Sequence, residues 1–244
     1  MKTLRTISLF LLLPIGLCAQ QVPVLEGIQG TIERVFMESM ITQENKLRPL
    51  IENLATVHAE MPNSWLVYWE GYGHYYEGIY FMEMDQKSAG IETLKQGIEL
   101  VESQEKMNAE DHVLAGTLMS LQMGLSPGSI MTLSSKSNKH FQQALKLAPN
   151  NLRAYLALGR SDYYKPKMFG GGKKVEEYFK KALSLEDSYS DDPYAPSWGR
   201  VDTYAMLVQY YAREERGDEA KVYCKKGLAL FPSDPRLNEL DSKL

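Results

Sequence analysis

Cysteine is almost missing from this sequence. Two in 244 residues cannot build a disulfide framework. One of them, Cys18, falls in an N-terminal leader, so Cys224 is left without a partner in its own chain. It sits at helical spacing with Ala220 and Leu228, the setting of a buried, inert thiol. Histidine is scarce too. His58, His74, His112 and His140 show no spacing to one another, to cysteine or to acids that would hold zinc, so no metal and no cofactor is expected. There is no cationic excess: 27 Lys plus Arg face 31 Asp plus Glu, a formal charge of −4, which argues against nucleic acid as a partner. No apolar run reaches the roughly 20 residues that a membrane-spanning helix needs. Alternating strands and Asn-Gly hairpin turns are missing. So are a serine nucleophile elbow, a dinucleotide fingerprint and a Walker loop. An enzyme is not expected.

What is present begins with an address. Lys2 and Arg5 precede eleven uncharged, mostly apolar residues, Ile7 to Leu17, and Leu17-Cys18-Ala19 then places a small residue before Gln20. This is the layout of a secretory signal peptide, residues 1–19, cleaved after Ala19. The expected location is the periplasm or the medium, with no transmembrane helix left after cleavage. Lipid attachment at Cys18 is the weaker rival, because Leu17 stands where a small residue would be wanted.

From there on, apolar residues recur at three and four: Phe141, Ala144, Leu145 and Ala148, or Val175, Tyr178, Phe179, Ala182 and Leu183. These are amphipathic helix stripes. Pro62-Asn63, Pro149-Asn150 and Pro232-Ser233-Asp234 each end one stripe and offer a cap for the next. The pattern predicts helices near 25–40, 44–60, 64–84, 87–103, 109–123, 136–148, 151–165, 173–185, 199–214, 217–230 and 234–243. Pro49 either starts the second of these late or kinks it. Ser126-Pro127-Gly128 and Ser188 to Pro196 read as loops.

The helices form pairs, and the pairs repeat. The clearest unit, 201–234, carries Tyr204, Leu207, Val208 and Tyr211, then Gly217, Ala220, Cys224, Gly227 and Pro232. Unit 152–187 has Tyr155, Leu158 and Gly159, then Phe179 and Ala182, with an excess at Gly170-Gly171-Gly172. Unit 111–149 has Leu114, Leu118 and Leu121, then Phe141, Ala144 and Pro149. Weaker traces lie at Gly90, Leu94 and Gly97 and at Leu50, Leu54, Val57 and Pro62. A period of about 34 residues with these small and large positions resembles the tetratricopeptide-repeat family. The resemblance implies an all-α, right-handed solenoid of about five helix pairs with a C-terminal capping helix, over residues 20–244. It also implies a protein or peptide partner, held in the groove lined by the first helix of each pair.

Candidate contact residues follow. Trp65, Tyr68, Trp69, Tyr72, Tyr75 and Tyr76 share one face of the third helix, and two uses of that face stay open: core packing, or a groove. The repeat there opens at either Trp65 or Tyr68. In the later units the groove face carries Arg153, Leu156, Arg160, Tyr163 and Tyr164, then Asp202, Gln209 and Arg213. Trp65, Trp69, Tyr72, Tyr76, Arg160, Tyr163, Tyr164, Gln209 and Arg213 are the candidate binding set. Gly170, Gly171, Gly172 and Lys173 form a candidate anion-binding turn, with Phe169 as its aromatic anchor. The function expected is a non-enzymatic binding scaffold of the bacterial envelope. The alternative is a small-ligand module with an aromatic-lined pocket, accessory to an uptake system. Mass spectrometry of the exported chain checks the leader. The chain is expected to begin at Gln20; a lipid-modified Cys18 terminus would replace release by anchoring.

Overall fold

The computed structural model describes residues 22–186 and 192–244, and these form helices and connecting turns with no strand among them. The expected leader, residues 1–19, and the first part of the Ser188 to Pro196 loop lie outside the described residues. Eleven α-helices follow in order: α1 (Ile28–Thr42), α2 (Leu47–Glu60), α3 (Ser64–Glu83), α4 (Lys87–Glu102), α5 (Ala109–Leu125), α6 (Ile130–Leu147), α7 (Leu152–Tyr164), α8 (Val175–Ser184), α9 (Arg200–Arg213), α10 (Gly217–Leu230) and α11 (Pro235–Lys243). The all-α class and the order of helices are as the sequence predicts. The boundaries agree to within three residues except one. α6 starts at Ile130, six residues early, because a short 3-10 turn, Pro127–Ser129, leads straight into it. Pro49 sits in the first turn of α2, where a missing N–H costs nothing, so it marks a start and not a kink.

The Pro-Asn signals work through side-chain caps. Asn63 accepts from the Trp65 amide at the head of α3, and Asp234 accepts from the Arg236 and Leu237 amides at the head of α11. After Pro149 the cap is Asn151, one residue later than Asn150, accepting from the Ala154 amide. Asn108 and Asp111 form a reciprocal capping box on α5.

First helices α1, α3, α5, α7 and α9 pack on one another in sequence, and each second helix packs between its own first helix and the next. That asymmetry puts the first helices on the inner side of the array. α11 closes the end against α9 and α10.

Geometry fixes the repeat register where composition left it open. In the last pair, Glu215 is left-handed (φ 59°) and the Arg216 amide donates to the Tyr211 carbonyl at 2.8 Å. In the second pair, Asp85 (φ 54°) and the Gln86 amide on the Phe81 carbonyl, also 2.8 Å, do the same. Gly227 faces Tyr204 in the last pair as Gly97 faces His74 in the second. The second unit therefore opens at residue 71, and His74 holds the place that Tyr204 holds in the fifth. Neither Trp65 nor Tyr68 opens it. Residues 64–70 are an overhang of α3 that precedes the repeat.

One close contact recurs within the pairs. A first-helix glycine lets a large second-helix side chain press against the backbone: Gly78 against Leu94, Gly116 against Phe141, Gly159 against Phe179. In the last pair the sizes are exchanged, with Val208 and Cys224 both fully buried at the matching places. Gly159→Ala forces its new methyl into the Phe179 ring and is expected to lower stability by about 1–3 kcal/mol. In a Phe179→Leu background the same change should cost less, and urea denaturation of the four variants measures the difference.

Candidate functional site

The α3 overhang is where the molecule departs from a plain array. Residues 192–198, which precede α9, run along the inner face as a strap and bond to it. Trp65 Nε1 donates to Asp192 Oδ2 at 2.8 Å, and Trp69 Nε1 donates to the Tyr194 carbonyl at 2.9 Å. Trp198 Nε1 donates to the Tyr68 hydroxyl at 2.9 Å. The Tyr194 hydroxyl accepts from the Val22 amide at 3.1 Å, and Gln29 Oε1 accepts from the Ser197 amide at 2.9 Å. Trp65, Trp69 and Trp198, the three tryptophans of the chain, meet in this strap.

A buried ion pair pins the strap's end. Arg153 of α7 donates through Nε to Glu110 Oε2 at 2.7 Å and through a second nitrogen to Glu110 Oε1 at 3.1 Å. Asn151 adds a bond to the same carboxylate at 2.5 Å. The third guanidinium nitrogen of Arg153 donates to the Trp198 carbonyl at 3.0 Å. Glu110 and Arg153 are each 1% exposed, so both are desolvated and matched by hydrogen bonds.

Beside the strap lies a cavity of about 690 Å³. α1 supplies Glu33, Phe36 and Met37. α3 supplies Tyr72, Tyr75 and Tyr76, and Trp198 stacks on Tyr72 with centroids 5.8 Å apart. Arg160 of α7 and Arg236 of α11 converge on Asp202 Oδ1 of α9, at 3.2 and 2.8 Å. Burial pushes the Asp202 carboxyl up, but the two guanidinium groups more than reverse this and hold it below its ordinary value. Glu33 has no such cation at contact distance, and burial raises it. The Tyr72 hydroxyl, 3.4 Å from Glu33 Oε1, links that carboxyl to the aromatic wall. The cavity is thus aromatic on one side and lined by a clamped charge cluster on the other. Its volume is of the size that small-molecule sites occupy.

No protein-family model matches the chain, and no curated protein matches it. Solved structures do. The HusA haemophore from Porphyromonas gingivalis is similar at a TM-score of 0.58 and 21% identity, over 76% of this chain and 94% of that one. TTC0263, a thermophilic TPR protein of Thermus thermophilus, is similar at a TM-score of 0.57 and 15% identity, over 88% of this chain and 97% of that one. The fold is a tetratricopeptide-like solenoid.

On that solenoid the candidate residues separate into groups. Tyr72, Tyr76 and Arg160 line the cavity. Trp65 and Trp69 face the strap instead. Tyr163, Tyr164 and Arg213 line a second, shallower hollow of about 390 Å³ with Lys165, Lys167 and Glu214, and Gln209 lines neither. Arg153 and Leu156, expected on the groove face, are buried. The glycine turn offers no free glycine amide. Gly170, Gly171 and Gly172 donate to the carbonyls of Lys167, Pro166 and Asp162, and the Lys174 amide donates to Asp162 Oδ2 at 2.7 Å. An anion arriving at those amides would meet bonds already made. Lys173 is exposed beside them, and Phe169 is no anchor, since it points into solvent.

Sequence reasoning missed Glu33, Phe36 and Met37 because α1 shows no repeat signature. It missed Arg236 because α11 reads only as a cap. It also missed that His112 and His140 meet, Nδ1 to Nδ1 at 2.9 Å, and that Glu102 bonds His140 Nε2 at 3.0 Å, since these residues come from three different helices. Among the described residues no group of three or more histidine, cysteine or acidic side chains is placed to hold a metal ion. Glu110→Ala strands the Arg153 guanidinium and is expected to cost about 3–5 kcal/mol. Glu110→Leu combined with Arg153→Met should recover most of that loss in urea denaturation.

Proposed function

We propose that this chain is an exported, non-enzymatic binding protein that takes a protein or peptide partner on its inner face, in the cavity between α1, α3 and α11. The observation that carries the reading is the meeting of the Tyr72, Tyr75, Tyr76 and Trp198 aromatics with the Arg160–Asp202–Arg236 cluster on the face formed by first helices. Large rigid side chains with one polar atom each suit recognition. Asp202, bridging two guanidinium groups, acts as a strut and not as a base. The strap fills the inner face beside the cavity, so the entering element is short: a chain end or a tight turn rather than a long extended peptide. Export rests on the layout of residues 1–19. No helix among the described residues is long and apolar enough to cross a membrane.

A second reading is favoured by the same closure. A cavity of about 690 Å³ walled by aromatics and bordered by arginines also suits a compact, flat, amphipathic ligand. The structural similarity to a haemophore supports that reading.

Photocrosslinkers at Met37 and Tyr76, with Val222 on α10 as control, separate the two in native envelopes. A single stoichiometric protein joined through Met37 and Tyr76 but not Val222 is the expected outcome. Saturable quenching of tryptophan fluorescence by haemin, weakened by Tyr76→Ala and Arg160→Ala, would establish the second reading instead. Silence in both experiments would remove the cavity from consideration.

A further inference from the structure

The turn between α7 and α8 holds two large apolar side chains in water. Met168 is 84% exposed and Phe169 is 64% exposed, with Tyr164 at 71% beside them. The exposure is built in. Gly170 and Gly172 take φ of 82° and 84°, a region that other residues avoid, and a Cβ at Gly171 would strike the Lys165 carbonyl. The Phe169 amide donates to the Pro166 carbonyl at 2.9 Å, and Asp162 ties the far end through the Gly172 and Lys174 amides. A turn this tightly bonded cannot fold its apolar tip back onto the helices.

Around the tip stand Lys165, Lys167, Lys173 and Lys174. Among the described residues only Lys167 of these four has an ion pair, with Glu214 at 3.2 Å, and Glu214 is also engaged by Arg213 at 3.4 Å. The shallow hollow beneath is lined by Tyr163, Tyr164, Lys165, Lys167 and Arg213, with Glu214 as its one acid. An apolar tip ringed by lysines, above a cationic hollow, has the complement of a surface that is apolar inside and anionic at its rim.

We propose that this turn docks on an anionic phospholipid bilayer. Met168 and Phe169 enter the boundary between headgroups and acyl chains, while Lys165, Lys173 and the hollow face lipid phosphates. The formal charge of the whole chain is −4, so an anionic membrane repels the rest of the surface and favours approach through this turn. Fields beyond about 10 Å are screened at ordinary salt, so the lysines nearest the lipid dominate.

Flotation of the full chain with phosphatidylglycerol–phosphatidylcholine vesicles tests this against phosphatidylcholine alone. Residues 1–19 are themselves apolar, so the comparison is between variants of otherwise identical chains. Met168→Ser with Phe169→Ser is expected to lower partitioning at least about ten-fold. Removing Lys165 and Lys173 by Lys→Gln should lower it about five-fold per lysine and reduce its salt dependence. Ile41→Ser, an equally exposed apolar site on α1, should leave it unchanged. A Phe169→Trp reporter should be quenched by lipids brominated on their acyl chains, beyond the background of the three native tryptophans. Equal partitioning of wild type and the double serine variant, equal binding to neutral vesicles, or an unquenched reporter overturns the proposal. So does a double serine variant that loses a protein partner while its vesicle binding stays unchanged.

Discussion

The buried pair between Glu110 and Arg153 is the constraint on which the inner face depends. Taking either ion out of water alone would cost several kcal/mol, so neither is tolerable without the other. Their bonds use up both carboxylate oxygens, and the remaining guanidinium nitrogen reaches the Trp198 carbonyl. One side chain thereby joins α5, α7 and the strap. Trp198, so fixed, stacks on Tyr72 and bonds to Tyr68, and the wall of the cavity is set. Arg160 lies about two helical turns further along α7 from Arg153, which aims it at Asp202 from the same rigid element.

The fold was legible because its signals are local. A glycine in a first helix and a large residue in the following second helix state the closeness of the two helices, and prolines with capping residues state where each helix ends. What sequence did not show was the register of the second unit. There the overhanging aromatics of residues 64–70 imitate the opening of a repeat, while the place of Tyr204 is taken by His74. The exchange of sizes at Val208 and Cys224 is legible only after the contact it preserves is known.

The site was legible in part. Arg160 lies on the face that the repeat pattern assigns to the inner side, Tyr72 and Tyr76 lie on the aromatic face whose use the sequence left open between core and groove, and all three line the cavity. Arg153 has the same assignment by spacing and is buried, because its partner Glu110 lies 43 residues away and spacing carries no record of it. Glu33, Trp198 and Arg236 come from α1, the strap and α11, the parts with no repeat signature. The stretch from Ser188 to Pro196 was legible as a loop; its contacts were not.

The strap also changes what kind of object the chain is. In an array where each repeat touches only its neighbours, stability is a sum over adjacent interfaces, and the ends fray first. Here the Val22 amide bonds to Tyr194 and Gln29 bonds to Ser197, partners 172 and 168 residues apart. The first helix pair is thereby tied to the junction of the fourth and fifth, and the line of repeats becomes a closed circuit. Such a tie works against opening of the N-terminal end alone, and folding of the tied stretch must wait for its most distant contacts.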